Sequence, residues 1–351
     1  QAQGGVPSAW KTVRREVSRM APLYDFRRFQ EELFPEWMRQ FESGPVTGEY
    51  SYKIGGPTDS YGTTDMLISR WIIGELELSD PRKDEWASVI NRFQRPDGWY
   101  RKTYTFHHRE HTTAYAVAAL TLIDRKPAMP LAWAVPILAD RASMERWMES
   151  VNWSIIWPGS HIVSGVPAAL AMTGEGNDDF YEWYFDWLDR NVDPRSGFWC
   201  RGLVHRLGII RRPTKHEMGG AFHMYYVYER FGRKWPYPER IVDHTLRLQH
   251  ANGLWDSDVT YCIDLDGVYC LTRSSRNAGW YRRDDVYTAC LRYLETAERI
   301  LNDREFLFRR YRDSHILTGA LAAVAECARF FPEIVRTARP WRQSLDTACF
   351  I

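Results

Sequence analysis

The sequence predicts an all-α fold, an (α/α)6 toroid of six helical hairpins, on three observations. A five-residue pattern recurs six times, as Tyr61-Gly-Thr-Thr-Asp65, Glu110-His-Thr-Thr-Ala114, His161-Ile-Val-Ser-Gly165, His216-Glu-Met-Gly-Gly220, Ile263-Asp-Leu-Asp-Gly267 and His315-Ile-Leu-Thr-Gly319. Its fifth residues stand 49, 51, 55, 47 and 52 positions apart, and a period near fifty marks one supersecondary unit per repeat. Helices that are apolar almost all round alternate with helices that keep a charged face, the pattern of an inner and an outer layer. Strand signals are weak; only residues 203–210 and 259–263 read as extended.

In order along the chain, residues 1–7 lack both an apolar signal core and an initiator Met, so a leader or tag is expected to be gone. Residues 11–41 are rich in helix formers and aromatics and predict entry helices; the polar, Gly-rich stretch after them predicts a mouth-covering loop. Residues 1–60 thus lead into one toroid domain that uses the whole of 1–351. Residues 64–76, with Met66, Leu67, Ile68, Trp71, Ile72 and Ile73, predict a buried helix. Residues 80–93 open on Ser-Asp-Pro, a helix start, and keep Arg82, Lys83, Asp84 and Glu85 on a charged face. The alternation continues with 111–123 against 144–151, 161–172 against 178–191, 216–231 against 238–250, and 266–274 against 284–301. The last inner helix, 315–331, pairs with the chain termini.

Composition narrows the function classes. A net charge of +1 implies no nucleic-acid partner and no acidic membrane surface. No apolar run has transmembrane length, so a soluble chain, not an integral membrane protein, is expected, in an unassigned compartment. The six Cys show neither metal-like nor disulfide-framework spacing and predict reduced, buried thiols. Phosphate loops, nucleophile elbows and dinucleotide fingerprints are missing from the sequence, so no cofactor is expected. The expected partner is a small-molecule or oligosaccharide substrate. The basic connection 202–215, flanked by Arg201 and including His205, Arg206, Arg211, Arg212 and Lys215, is long for a compact domain. It predicts a lid, an anion clamp or a homo-oligomer contact.

Parallel inner helices would bring their N-termini, with exposed N–H groups and positive dipole ends, to one mouth. Asp264 and Asp266 lead the catalytic candidates, because two close carboxylates split into one acid and one base near neutral pH; either could instead cap its helix. His111, His161, His216 and His315 share repeat positions and are expected to converge. Glu110 and Glu217 adjoin them as orienting groups or bases. Asp65 reads as a helix cap or a site carboxylate. Tyr61, Tyr104 and Tyr269 are placed at the same mouth by position, and Arg273 lies two turns past Asp266, ready to pair with a carboxylate. His107 and His108 read as loop surface. Their tract ending at His111 has metal-ligand character that His161 or His216 could complete, although no metal is expected. Three loops, Gln94-Arg-Pro-Asp-Gly-Trp99, Asp193-Pro-Arg-Ser-Gly-Phe-Trp199 and Gln249-His-Ala-Asn-Gly-Leu-Trp255, each turn on Gly and end on Trp. Those indoles are either wedges between hairpins or substrate platforms.

The Gln-x-x-x-Gly-x-Trp loops resemble the repeats of terpenoid cyclases and of protein prenyltransferase β subunits. Asp264-Leu-Asp266-Gly resembles the Asp-x-Asp-Asp acid motif of class II terpene cyclases, with Gly267 where that family has a further Asp. This resemblance implies that the pair protonates an alkene. Likeness to the prenyltransferases implies a lesser alternative in which Asp264 and His315 are metal ligands. The 193–199 loop and the single-domain size resemble six-hairpin sugar enzymes of the unsaturated glucuronyl hydrolase type. The expectation is therefore an acid–base enzyme, a glycoside hydrolase or polysaccharide lyase acting on an acidic or unsaturated sugar. A terpenoid cyclase or isoprenoid isomerase, and a non-catalytic binding toroid, stand as alternatives.

Overall fold

The structure, a computed structural model, describes residues 23–76, 79–103 and 106–351. It is all-α; the strands among the described residues are a two-residue parallel pair, Tyr24–Asp25 beside Val335–Arg336. Entry is helical through Phe29–Leu33 and α1 (Phe34–Arg39). Next come α2 (Ser60–Ile72), α3 (Asp80–Asn91), α4 (Arg109–Leu122), α5 (Arg141–Glu149), α6 (Ile156–Thr173) and α7 (Asp178–Asn191). The chain continues through α8 (Lys215–Arg230), α9 (Pro238–Leu248), α10 (Cys262–Asn277), α11 (Arg283–Leu301), α12 (Arg304–Arg310) and α13 (Ser314–Phe330).

Six of these helices are buried along most of their length. α2 packs on α4, α4 on α6, α6 on α8, α8 on α10 and α10 on α13, while α13 packs back on α2. The small anchor residue of the sequence repeat is where neighbouring backbones meet. A methyl at Gly165 of α6 would lie 2.8 Å from the Glu110 carbonyl oxygen of α4, and one at Gly319 of α13 would lie 2.5 Å from the Cys262 nitrogen of α10. The amphipathic helices lie outside; α9 and α11 both touch α10.

Inner helices begin earlier than the apolar pattern predicts because their caps precede it. Asp59 accepts from the Gly62 N–H at 3.0 Å and starts α2, so Asp65 is not a cap. α10 begins at Cys262, four residues before the predicted start, which places Asp264 in its first turn. The two predicted extended stretches are not strands. Residues Leu203–Arg206 form a short helical turn, and 259–261 are an irregular lead into α10. Leu203, Leu207 and Ile209 stay exposed while Val259 is buried, and neither stretch has a partner edge to pair with.

The loop after α1 returns to the N-terminal end of α13, with Lys53 bridged to Asp313 and the Ser314 N–H donating to the Tyr52 carbonyl at 2.9 Å. Residues 345, 348, 349, 350 and 351 are buried among the inner helices. Phe350 lies edge-on to His111, with ring centres 4.9 Å apart, and also meets Tyr226 at 5.5 Å. No helix of the described residues is long and apolar enough to cross a membrane. All six cysteines are free thiols, four of them fully buried.

Candidate active site

A cavity of about 580 Å³ opens where the N-terminal turns of the inner helices come together. α4 contributes His111 and Tyr115, with His107 from the segment before it, and α6 contributes Trp157 and His161. Phe222 and His223 come from α8, Cys262, Leu265 and Asp266 from α10, and His315 and Thr318 from α13, with Ile351 also on the wall. The lining is mainly apolar and aromatic, broken by imidazoles, by the carboxyls of Asp266 and Asp313 and by Arg310. A second hollow of about 460 Å³ between α5 and α7 is lined by Asp140, Asp179, Glu182 and Asp186 but by no imidazole.

The two carboxyls of α10 have separate environments. Asp264 is spoken for: it accepts from the Trp255 N–H at 2.8 Å and from the Tyr261 N–H at 3.1 Å, tying the Trp loop to the helix start. Asp266 is fully buried and neither of its oxygens has a hydrogen-bond partner. Burial pushes the Asp264 carboxyl up to about 7, against the pull of its backbone donors and of Lys215. Burial pushes Asp266 well above the carboxylate range, and the neighbouring Asp264 adds to the push. Burial thus favours the protonated form of Asp266, a residue of the cavity lining. It lies close to Gly219 of α8, where a methyl would stand 2.7 Å from Oδ2 and 3.2 Å from the Trp157 ring.

Facing this acid is a cluster of five histidines. Ring centres are 4.0 Å apart for His107 and His111, 4.7 Å for His111 and His161, 4.9 Å for His107 and His161, 4.9 Å for His107 and His315, and 5.3 Å for His161 and His223. The Tyr61 hydroxyl lies 2.8 Å from Nδ1 of both His107 and His111. Burial, then mutual repulsion, holds His107, His111 and His161 well below the usual imidazole range, and burial brings His223 down to about 3. The neutral ring is thus the favoured form of these four. His315 differs: burial opposes its charge, but the Asp65 carboxylate, 2.9 Å from Nδ1, outweighs burial and raises it. Asp65 is fully buried and also accepts from the Tyr115 hydroxyl at 2.6 Å and from Ser314.

Of the residues picked out from sequence, His111, His161, His315 and Asp266 line the cavity, while Tyr61, Asp65 and Asp264 stand directly behind it. His216 does not: it is exposed in the first turn of α8 and stacks on Trp157 from outside, ring centres 5.5 Å apart. His223, two turns deeper on the same face, takes its place. Glu217 completes a capping box with Thr214, and Glu110 pairs with Arg109 at 3.3 Å beside the cavity. Trp199 and Trp255 are fully buried and donate their indole N–H to the Leu188 and Thr245 carbonyls, so they are wedges, not platforms. Trp99 is also packed, stacked on Trp133 at 4.0 Å under the Arg109 guanidinium. Tyr269 and Arg273 face away from the cavity, into a buried network described below. Tyr104 lies outside the described residues.

Sequence reasoning missed two histidines. His107, expected at the loop surface, sits within the imidazole cluster, and its i, i+4 spacing to His111 is the signal for it in the sequence. His223 carried no repeat signal, because its position inside α8 has no counterpart in the motif. Comparison of the chain with protein families, with curated proteins and with solved structures gives no match.

Proposed function

We propose that the six inner helices form the inner ring of an (α/α)6 toroid and that the cavity at its mouth is the active site of an alkene-protonating enzyme, an isoprenoid isomerase or cyclase. The cycle of packing from α2 round to α13 and back supports the toroid. The activity rests on one observation: Asp266 is a buried, hydrogen-bond-free carboxylic acid on the wall of a largely apolar cavity.

An acid kept neutral by burial is matched to a substrate with no strongly basic atom. The Asp266 O–H bond breaks as the alkene π pair takes the proton, forming a C–H bond and an adjacent carbocation, while Asp266 becomes a carboxylate. Trp157, Phe222, Tyr115 and Tyr261 present ring faces or edges to that cation. A carbon next to the cationic centre, reached directly or after ring closure, then loses its proton to a neutral imidazole, and a new double bond forms. Transfer of that proton back to Asp266 closes the cycle, so atoms and charge balance without a redox step. Asp264 keeps the acid protonated by repelling a second negative charge.

The test is turnover in D2O with farnesol, geranylgeranyl diphosphate and squalene as one set and unsaturated glucuronyl disaccharides as the other. Incorporation of solvent deuterium into a prenyl product is expected. Asp266→Asn should lower it by about 10²- to 10⁴-fold, the usual contribution of a general acid, with the melting temperature retained. The carbohydrate reading draws support from the polar side of the mouth, where Arg310, Asp313 and His315 lie. Turnover of the disaccharides alone, or an Asp266→Asn chain as active as the parent, would overturn the isoprenoid assignment.

A further inference from the structure

We propose that His107, His111 and His161 form a binding site for one divalent first-row transition-metal ion, zinc or cobalt in kind. The inference does not rest on the role assigned to Asp266.

Each of the three offers a ring nitrogen, and these atoms lie within 4.8 Å of one another. Around a tetrahedral ion with metal–nitrogen bonds of about 2.0–2.1 Å, ligand nitrogens stand ~3.4 Å apart. The rings therefore need to close by an ångström or so, a small side-chain rotation. Two further observations point to an ion. His161 Nδ1 is buried and has no hydrogen-bond partner, a cost that a metal bond would remove. The Tyr61 oxygen sits 2.8 Å from Nδ1 of both His107 and His111. If both rings donate their Nδ1–H to that oxygen, Nε2 of each becomes a lone-pair donor in a fixed orientation, the outer-shell arrangement typical of metal-bound imidazole.

The chemistry of the donors selects the ion. Three neutral nitrogens with no carboxylate or thiolate suit zinc, cobalt, nickel or copper and disfavour calcium and magnesium. All three histidines line the cavity, so a fourth position would face it and take water or a substrate oxygen. The source of the site is local: His107 and His111 are joined by the cap residue His108 at the start of α4, and α6 packs against α4 through the close approach at Gly165.

Chain stripped with chelator and dialysed should take up Co2+ to one equivalent, with the visible d–d absorption of a low-coordinate nitrogen site, and Zn2+ should displace it. His161→Ala and, separately, His107→Ala should each weaken binding at least 100-fold, and Tyr61→Phe by about 10- to 100-fold. His216→Ala, which removes an exposed imidazole, should leave it unchanged. His107 precedes the helix and is only partly buried, so its variant keeps the test sound even if His161→Ala unfolds. The proposal fails if neither Co2+ nor Zn2+ binds at one equivalent, or if a folded His107→Ala chain binds as the parent does.

Discussion

Asp264 and Asp266 differ by two positions and by every contact that matters. Asp264 answers two backbone N–H groups, whereas Asp266 answers none. Their spacing was legible in the sequence and so was the expectation that one would stay protonated. Which one faces the cavity depended on where α10 begins, and that followed from packing of the Trp255 loop. A carboxyl held at about 7 when folded and near 3.8 when unfolded makes the folded chain the better proton binder between those values. Its contribution to stability is full below about 4 and is lost as pH rises towards 7, on the order of a few kcal/mol. Urea unfolding from pH 4 to 8 should show this decline in the parent. Asp264→Asn should flatten it relative to the parent, while Asp266 on the same helix and Lys215 opposite are kept. Gly219→Ala tests the neighbouring wall: its methyl would press on Asp266 Oδ2. Turnover should fall several-fold, with a stability cost of ~1–3 kcal/mol from overpacking.

Among the elements, the α8 start shows how a local signal can serve two readings. Thr214 and Glu217 exchange hydrogen bonds across the first turn, so Glu217 is consumed as a cap before it can reach the cavity. Thr214→Ala should cost about 1 kcal/mol of stability in thermal or denaturant unfolding, without changing turnover. The Gly of the repeat has a different task, admitting the neighbouring helix. Gly165→Ala should gain helix propensity of ~1 kcal/mol yet lose more to the 2.8 Å approach of the Glu110 carbonyl, for a net loss read as a lower melting temperature. Because α4 carries His111 and follows directly on His107, the same change should also disturb the imidazole cluster. Two of the Trp loops use their Gln to pin the turn: Gln94 donates to the Met129 carbonyl at 2.8 Å, and Gln249 donates to the Gly253 and Ala289 carbonyls at 2.9 Å, the latter on the outer helix α11. Their Gln, Gly and Trp were readable as a motif, and the wedge reading of the indoles is the one their burial supports.

At the scale of the whole molecule, a buried ion network fastens the end of the helix cycle away from the cavity. Arg273 of α10 meets Glu326 of α13 through two bonds of 2.6 and 2.9 Å, Asp346 at 2.9 Å and Glu229 of α8 at 3.3 Å. Gln343 adds a bond of 2.9 Å to Glu326. Arg273→Ala should therefore cost about 3–5 kcal/mol in denaturant unfolding by leaving Glu326 buried without its charge partner; Glu326→Ala added to it should recover part of that loss. Residues 345–351 tie the network to the cavity wall, since Asp346 holds Arg273 while Phe350 abuts His111. The helical class, the order of buried and amphipathic helices, the period near fifty and the acid pair were determined by the sequence alone, because side-chain spacing along one helix is a local property. Only the tertiary structure decided that His107 and His223 join the cluster, that His216 stays outside it, and that the carboxylate partner of Arg273 is Glu326, away from the cavity. Those outcomes depend on helix rotation and depth, which are set by contacts between residues in different repeats.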